Sequence, residues 1–159
     1  MYRYLSTKEL ETYITKGYNK LKEKAINYNI FREINVVFNI NPPAEDVWGD
    51  TYVYSDNGGY HYIGIQRCKK VMHQITEDLF DIAYWIYRFP TFSMGFNFEL
   101  KNRNNNQDTR RIAFKKALEL LDLIGENFRK RDEIDIDEIL KESPYDDELH
   151  IKHYNYYNI

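Results

Sequence analysis

Glu99, Arg103, Gln107, Asp108, Arg110 and Arg111 form the densest polar constellation in the chain. A metal-dependent hydrolase needs two or more carboxylates converging on an ion. Glu99 and Asp108 are the available pair, which makes a hydrolase site of Glu99, Asp108, Arg110 and Arg111 one reading of the cluster. The same residues also satisfy a structural reading. Glu99 and Arg103 stand at i,i+4, the favourable direction for an ion pair on a helix. Asp108 falls at a helix start, where a carboxylate caps free amides and meets the dipole favourably. Arg110 or Arg111 can then bridge helices through a bidentate contact with a carboxylate. The structural reading is preferred, and no catalytic residue is assigned.

Other chemistry is sparse. The chain has no GxxxxGK[ST] and no GxGxxG between a strand and a helix, so Gly58-Gly59 reads as a hairpin turn. His61 and His73 lie in neighbouring strands and can face each other, but no carboxylate stands at ligand spacing and HExxH is absent. His150 and His153 lie close to the C-terminus. Neither a metal nor a cofactor is expected. Cys68, between Arg67 and Lys69-Lys70, has a basic setting that lowers a thiol pKa if exposed, yet nothing in the sequence supplies its general base. A third reading places a small-molecule sensor pocket between sheet and helices near His61 and Trp85.

The elements that carry these residues follow from periodicity. Ser6-Thr7-Lys8-Glu9 has capping-box spacing. Behind it Leu10, Tyr13, Ile14, Tyr18, Leu21, Ala25 and Tyr28 recur at helical steps, giving a helix over about 7–28. Ile34, Val36, Phe38 and Ile40 alternate as a half-buried strand, stopped by Pro42-Pro43. Thr51 to Tyr54 and Tyr60 to Arg67 flank Ser55-Asp56-Asn57-Gly58-Gly59 as a β-hairpin. Lys69 to Ile75 adds a further strand. Leu79, Ile82, Ala83 and Ile86 mark a helix that Pro90 should end. Three more helices are expected over 92–104, about 109–124 and about 126–142, the last pairing Phe128 with Ile136, Ile139 and Leu140. The fold class is α+β: an N-terminal helix, a small antiparallel sheet with a hairpin, then a cluster of about four helices. Residues 1–148 read as one domain and 149–159 as a flexible tail.

With 159 residues the chain is long enough to bury a core without staples, and a lone cysteine suits a reducing compartment. No run reaches the ~20 apolar residues of a membrane span. The net charge of −3 hides an asymmetry. Residues 1–106 carry 13 basic and 12 acidic groups, whereas 107–159 carry 9 and 13. Asp132, Glu133, Asp135, Asp137, Glu138, Glu142, Asp146, Asp147 and Glu148 meet only Lys141 between 132 and 148. A general nucleic-acid binder would carry a basic face instead. An acidic, tyrosine-rich stretch fits a docking surface for a basic protein, with Asp132, Glu133, Asp135, Asp137, Glu138, Tyr145, Asp146 and Asp147 as candidate contacts. Aromatics make up 16% of the chain. Tyr13, Phe38, Trp85 and Phe128 fit core positions by period, and Tyr145, Tyr154, Tyr156 and Tyr157 lie beside or beyond the acidic stretch.

Tyr60-His61-Tyr62-Ile63, Tyr84-Trp85, Thr91-Phe92-Ser93-Met94, Glu99-Leu100, Asn102-Arg103, Gln107-Asp108, Arg110-Arg111, Phe114, Leu118-Glu119-Leu120-Leu121, Ile139-Leu140 and Pro144-Tyr145-Asp146-Asp147 occur in an order and spacing that resemble the immunity protein 63 family. The resemblance covers about residues 50–147. It departs at Cys68, where the family pattern has glycine, and at Gly95, where alanine is usual and glycine should weaken the helix slightly. It implies a bacterial cytoplasmic immunity protein, encoded beside a polymorphic or contact-dependent toxin and neutralising it by stoichiometric binding, without catalytic residues. From charge, the toxin is expected to be a basic, nucleic-acid-directed domain; no direct nucleic-acid or membrane contact is expected.

Overall fold

The computed structural model describes residues 4–44 and 49–157, with side chains through residue 152. Its order is α1 (Thr7–Asn27), β1 (Val36–Phe38), β2 (Gly49–Asp56), β3 (Gly59–Gln66), β4 (Lys69–Thr76), α2 (Leu79–Lys101), α3 (Arg110–Ile124), α4 (Glu126–Glu142) and α5 (Asp147–Tyr157). The α+β class and its sequence of helix, sheet and helices are as expected. Two compact units make up the chain; of the three boundaries between them two fall inside the long helices α1 and α2, and the third falls in the loop between α1 and β1. The first unit takes residues up to Asn19 with Glu33–Tyr87, and the second takes Lys20–Arg32 with everything from Arg88. No linker-like composition marks this division. The segment after 148 carries α5.

The first unit is built on a four-stranded sheet in the order β1-β2-β3-β4. β2, β3 and β4 are antiparallel, but β1 joins β2 in parallel, so the sheet is mixed rather than purely antiparallel. Alternation puts Val53, Tyr60 and Tyr62 on one face and Tyr52, Tyr54, His61, Ile63 and Ile65 on the other. The first face meets helical elements: Tyr62 lies 6.1 Å from Trp85, and the Tyr60 hydroxyl accepts the Leu5 amide at 3.0 Å. The start of α1 is fixed by a reciprocal capping box, with the Glu9 carboxylate accepting the Ser6 amide at 2.8 Å and the Ser6 hydroxyl accepting the Glu9 amide at 3.3 Å. Leu10, Ile14 and Tyr18 are buried as the stripe predicts, whereas Tyr13 is 44% exposed and is not a core residue.

The second unit is helical. The C-terminal half of α1 ends in a Schellman motif: Asn29 turns left-handed at φ 55°, and Ile30 donates back to the Ala25 carbonyl at 3.0 Å. Lys116 of α3 is buried with its ammonium 4.0 Å from the Tyr28 ring and 4.2 Å from that of Phe98.

Two sequence expectations about α2 fail for instructive reasons. Pro90 does not end a helix, because α2 runs unbroken across it. An interior proline costs a bare helix about 3 kcal/mol. Here Pro90 is buried and the neighbouring Tyr87, Thr91 and Met94 are at most 1% exposed, so side-chain burial holds the helical course. The four C-terminal helices are therefore α2–α5, with one merger and one addition. At Gly95 a Cβ would lie 2.3 Å from the Ala113 carbonyl oxygen, so glycine there permits the close approach of α2 and α3 rather than weakening a helix. Between β3 and β4, Arg67 and Cys68 both adopt left-handed φ, 49° and 60°, in a two-residue turn closed by Gln66 and Lys69. That is the primed geometry that glycine adopts without strain.

Gly95→Ala should therefore lower stability by about 1–3 kcal/mol despite alanine's better helix propensity. Cys68→Gly should raise it by up to about 1 kcal/mol. Thermal melts of both variants decide the point, and an unchanged or raised melting temperature for Gly95→Ala would refute the close approach.

Candidate functional site

The Asp108 carboxylate is fully buried just before α3, in the second unit. Its Oδ1 accepts the Arg110 amide at 3.0 Å and Arg110 Nε at 3.1 Å; its Oδ2 accepts the second guanidinium nitrogen at 2.7 Å and the Asp146 amide at 3.0 Å. The same guanidinium donates to the carbonyls of Ser143 at 2.8 Å and Pro144 at 2.9 Å, beyond the last turn of α4. Arg111 grips Asp147 in a fork at 3.0 and 3.2 Å, and Asp147 in turn accepts the Asp108 amide at 2.8 Å. Tyr145 lies against Phe114, with the Arg111 guanidinium 4.1 Å from its ring centre. One carboxylate and two arginines thus tie the start of α3 to the end of α4 and the start of α5. Burial on its own would raise the Asp108 pKa. The Arg110 guanidinium and the amides of Asp146 and Arg110 outweigh it and hold the group far below the usual carboxylate range.

Glu99 is 2% exposed and forms a separate fork with Arg103, at 2.8 and 3.1 Å. Each carboxylate of the supposed hydrolase pair is therefore committed to its own arginine. Asp108 accepts an amide of the first turn of α3, Glu99 and Arg103 pair at i,i+4, and Arg111 links α3 to α5 through Asp147.

The acidic stretch divides by helix phase. Asp132 is 1% exposed and bonds Arg88 Nε at 3.0 Å, so it faces inward and does not belong to a surface. Asp135 lies 3.8 Å from Arg88, and Glu133 pairs with Arg129. Glu138 pairs with Lys141 at 2.5 Å on an exposed face. Asp137, Glu138, Glu142, Asp146 and Glu148 are exposed. Among the described residues, Asp137, Glu142 and Glu148 have no cation within ion-pair distance. Asp146 caps α5 by accepting the Leu149 amide at 2.8 Å. Tyr145 and Asp147 are half-buried parts of the arginine cluster. The side chains of His153, Tyr154, Tyr156 and Tyr157 lie outside the described residues.

In the first unit His61 and His73 do meet, Nδ1 to Nε2, at 2.9 Å. Asp56, missed in sequence because it read as a turn residue, supplies the carboxylate at 2.9 Å from His61 Nε2. That contact holds Asp56 below its ordinary pKa, and His73 is lowered by burial and then by Lys70 and His61. His61 stacks on Tyr54 at 4.2 Å. Trp85 meets Tyr62, on the opposite face of the sheet, so His61 and Trp85 do not line one pocket. Arg88 was also missed, since its partner lies 44 residues away. Asp132 itself carried a signal: it stands four residues from both Phe128 and Ile136, on the buried stripe of α4.

Compared with known proteins, residues 56–138 match the family model described as Immunity protein 63, which is just over half of the chain. The chain belongs to that family. No curated protein and no solved structure matches it. Among the described residues no helix is long and apolar enough to cross a membrane.

Asp108→Asn should cost about 3 kcal/mol at neutral pH, because it leaves Arg110 and two amides without their charged acceptor. A carboxylate whose pKa is depressed on folding contributes stability above its unfolded value, near pH 4, and loses it as pH falls towards the folded value. The gap between the two proteins should therefore narrow as unfolding is followed from about pH 4 to about pH 2. A gap that stays constant over that range would remove Asp108 as the source.

Proposed function

We propose that this protein is a non-enzymatic bacterial immunity protein that acts in the cytoplasm, binding one cognate toxin and blocking it stoichiometrically. Family membership supports the class. The carrying observation for the mode of action is the arrangement around the α4–α5 corner. Arg110 and Arg111 are spent inward on Asp108, Asp147 and backbone carbonyls, while Asp137, Glu142, Asp146 and Glu148 face out. The result is an acidic surface on a rigid, internally neutralised base.

A surface of that sign fits a toxin domain with a basic cleft, as a nucleic-acid-directed toxin would present. Like-sign focusing accelerates such an encounter, and a preorganised corner lowers the ordering cost of the complex. Glu133, Asp135 and Glu138 extend the acidic field along α4, although each is partnered within the helix or by Arg88. Asp132 contributes by orienting α4 rather than by contact.

The test begins with the toxin domain encoded beside the gene. It should co-purify with this protein in equimolar amounts and lose activity on binding. Reversing Asp137, Glu138 and Glu142 to lysine should slow association about tenfold and flatten its salt dependence, with a smaller effect on dissociation. Binding with unaltered kinetics would clear the α4 surface of any role, and failure to bind at all would remove the immunity reading.

A further inference from the structure

β4 is the exposed edge of the sheet, and its backbone directions follow from hydrogen bonds elsewhere in the first unit. The Val53 carbonyl accepts the Asn39 amide at 3.0 Å, and the Ser55 amide donates to the Thr7 hydroxyl at 2.9 Å. Residues 53 and 55 therefore face away from β3, and Tyr52, Tyr54 and Asp56 are the ones that bond their partners Ile63, His61 and Gly59. Alternation then turns Tyr60, Tyr62 and Gly64 towards β4, where Thr76, Gln74 and Met72 receive them. His73 and Ile75 are left with N–H and C=O directed at the open edge. The irregularity between Gly64 and Ile65, which leaves Val71 as an extra residue, shifts the phase so that Lys70 also points outward.

Every residue from Lys69 to Ile75 is exposed, including Val71 at 57% and Ile75 at 53%. An open strand of this kind invites pairing, and lysines and bulges are the usual guards against it. Here the guard is confined to one end. Arg67, Lys69 and Lys70 stand at the start of β4, and the exposed Glu77 and Asp78 follow its end. An antiparallel copy of the same strand therefore sets the basic start of each beside the acidic end of the other. A foreign strand has no such built-in complement.

We propose that β4 pairs with β4 of a second copy of this chain, antiparallel about a two-fold axis at His73, to join two sheets into one. In that register His73 exchanges backbone hydrogen bonds with its symmetry mate. Ile75 pairs with Lys70 of the second copy, the bulge absorbing Val71. Lys70 then lies diagonally beside Glu77 of the other copy on the same face, twice by symmetry.

Sedimentation equilibrium of the purified full chain over a wide concentration range tests this without any toxin. A concentration-dependent monomer–dimer equilibrium is expected. Ile75→Pro removes an N–H that β3 does not use, and proline is tolerated at such edge positions, so the variant should stay folded by circular dichroism and be monomeric. Lys70→Glu should raise the dimer dissociation constant about tenfold by placing two like-charged pairs in contact, and adding Glu77→Lys should restore it. The charge swap stands as the test if the proline variant does not fold. A monomer at all concentrations, including one whose β4 edge is taken only by a toxin strand, would overturn the proposal. So would a dimer indifferent to the single and double charge changes.

Discussion

A buried carboxylate is costly unless its lone pairs are filled by charged or well-aligned donors, and Asp108 meets that condition with four N–H groups from Arg110 and Asp146. The rest of the second unit's C-terminal half depends on this one contact. Arg110 is held by Asp108, and because it is held, its Nη1 reaches the Ser143 carbonyl and its Nη2, shared with Asp108, the Pro144 carbonyl past the end of α4. Those carbonyls lie at the negative end of a helix dipole, close to Asp146, Asp147 and Glu148. Without two arginines beneath them, that concentration of negative charge would oppose its own folding. The cluster is therefore both the clasp that joins three helices and the reason an acidic corner is tolerated.

α4 shows how the surface is sorted. Its inward face, Phe128, Asp132 and Ile136, includes a carboxylate because Arg88 of α2 is there to receive it. Removing Asp132 from the surface does not remove the acidic character, since Asp137 and Glu138 lie on the opposite side of the helix. It moves the exposed charge towards the α4–α5 corner. Sequence adjacency had merged two groups of carboxylates with different duties, and the helix period separates them.

Local signals carried most of the fold. The capping box at Ser6 and Glu9, the hairpin around Asn57-Gly58 and the apolar stripes of α1 and α3 are consequences of nearby residues, and each was legible. The i,i+4 fork of Glu99 and Arg103 was legible for the same reason. What escaped depends on partners distant in sequence. Arg88 finds Asp132, Pro90 is held helical by burial on both sides, and Gly95 is needed because α3 passes close by. The parallel pairing of β1 also escaped, since alternation in a three-residue strand states a face but not a direction. Asp56 and His61 form a middle case: the two histidines were placed opposite each other, but the turn residue that completes their hydrogen-bonded row looked like turn chemistry alone.

The matched family span of 56–138 contains Asp108, Arg110 and Arg111, whereas Ser143, Pro144, Asp146 and Asp147, which those residues hold, lie beyond it. On the proposed reading this division has a physical use. The donors and the buried carboxylate need a fixed geometry, because a fork and an N-cap tolerate little displacement. Several of their partners are backbone groups, namely the carbonyls of Ser143 and Pro144 and the amide of Asp146, and backbone groups are supplied by any residue except where proline removes an amide. Tyr145 and Asp147 are held by their side chains, but a frame that otherwise grips backbone can present different side chains at positions such as Glu142 and Glu148 without losing its hold. Specificity for one toxin over its relatives requires that freedom at the contact surface and rigidity beneath it. The Asp108 cluster supplies the second while constraining little of the first.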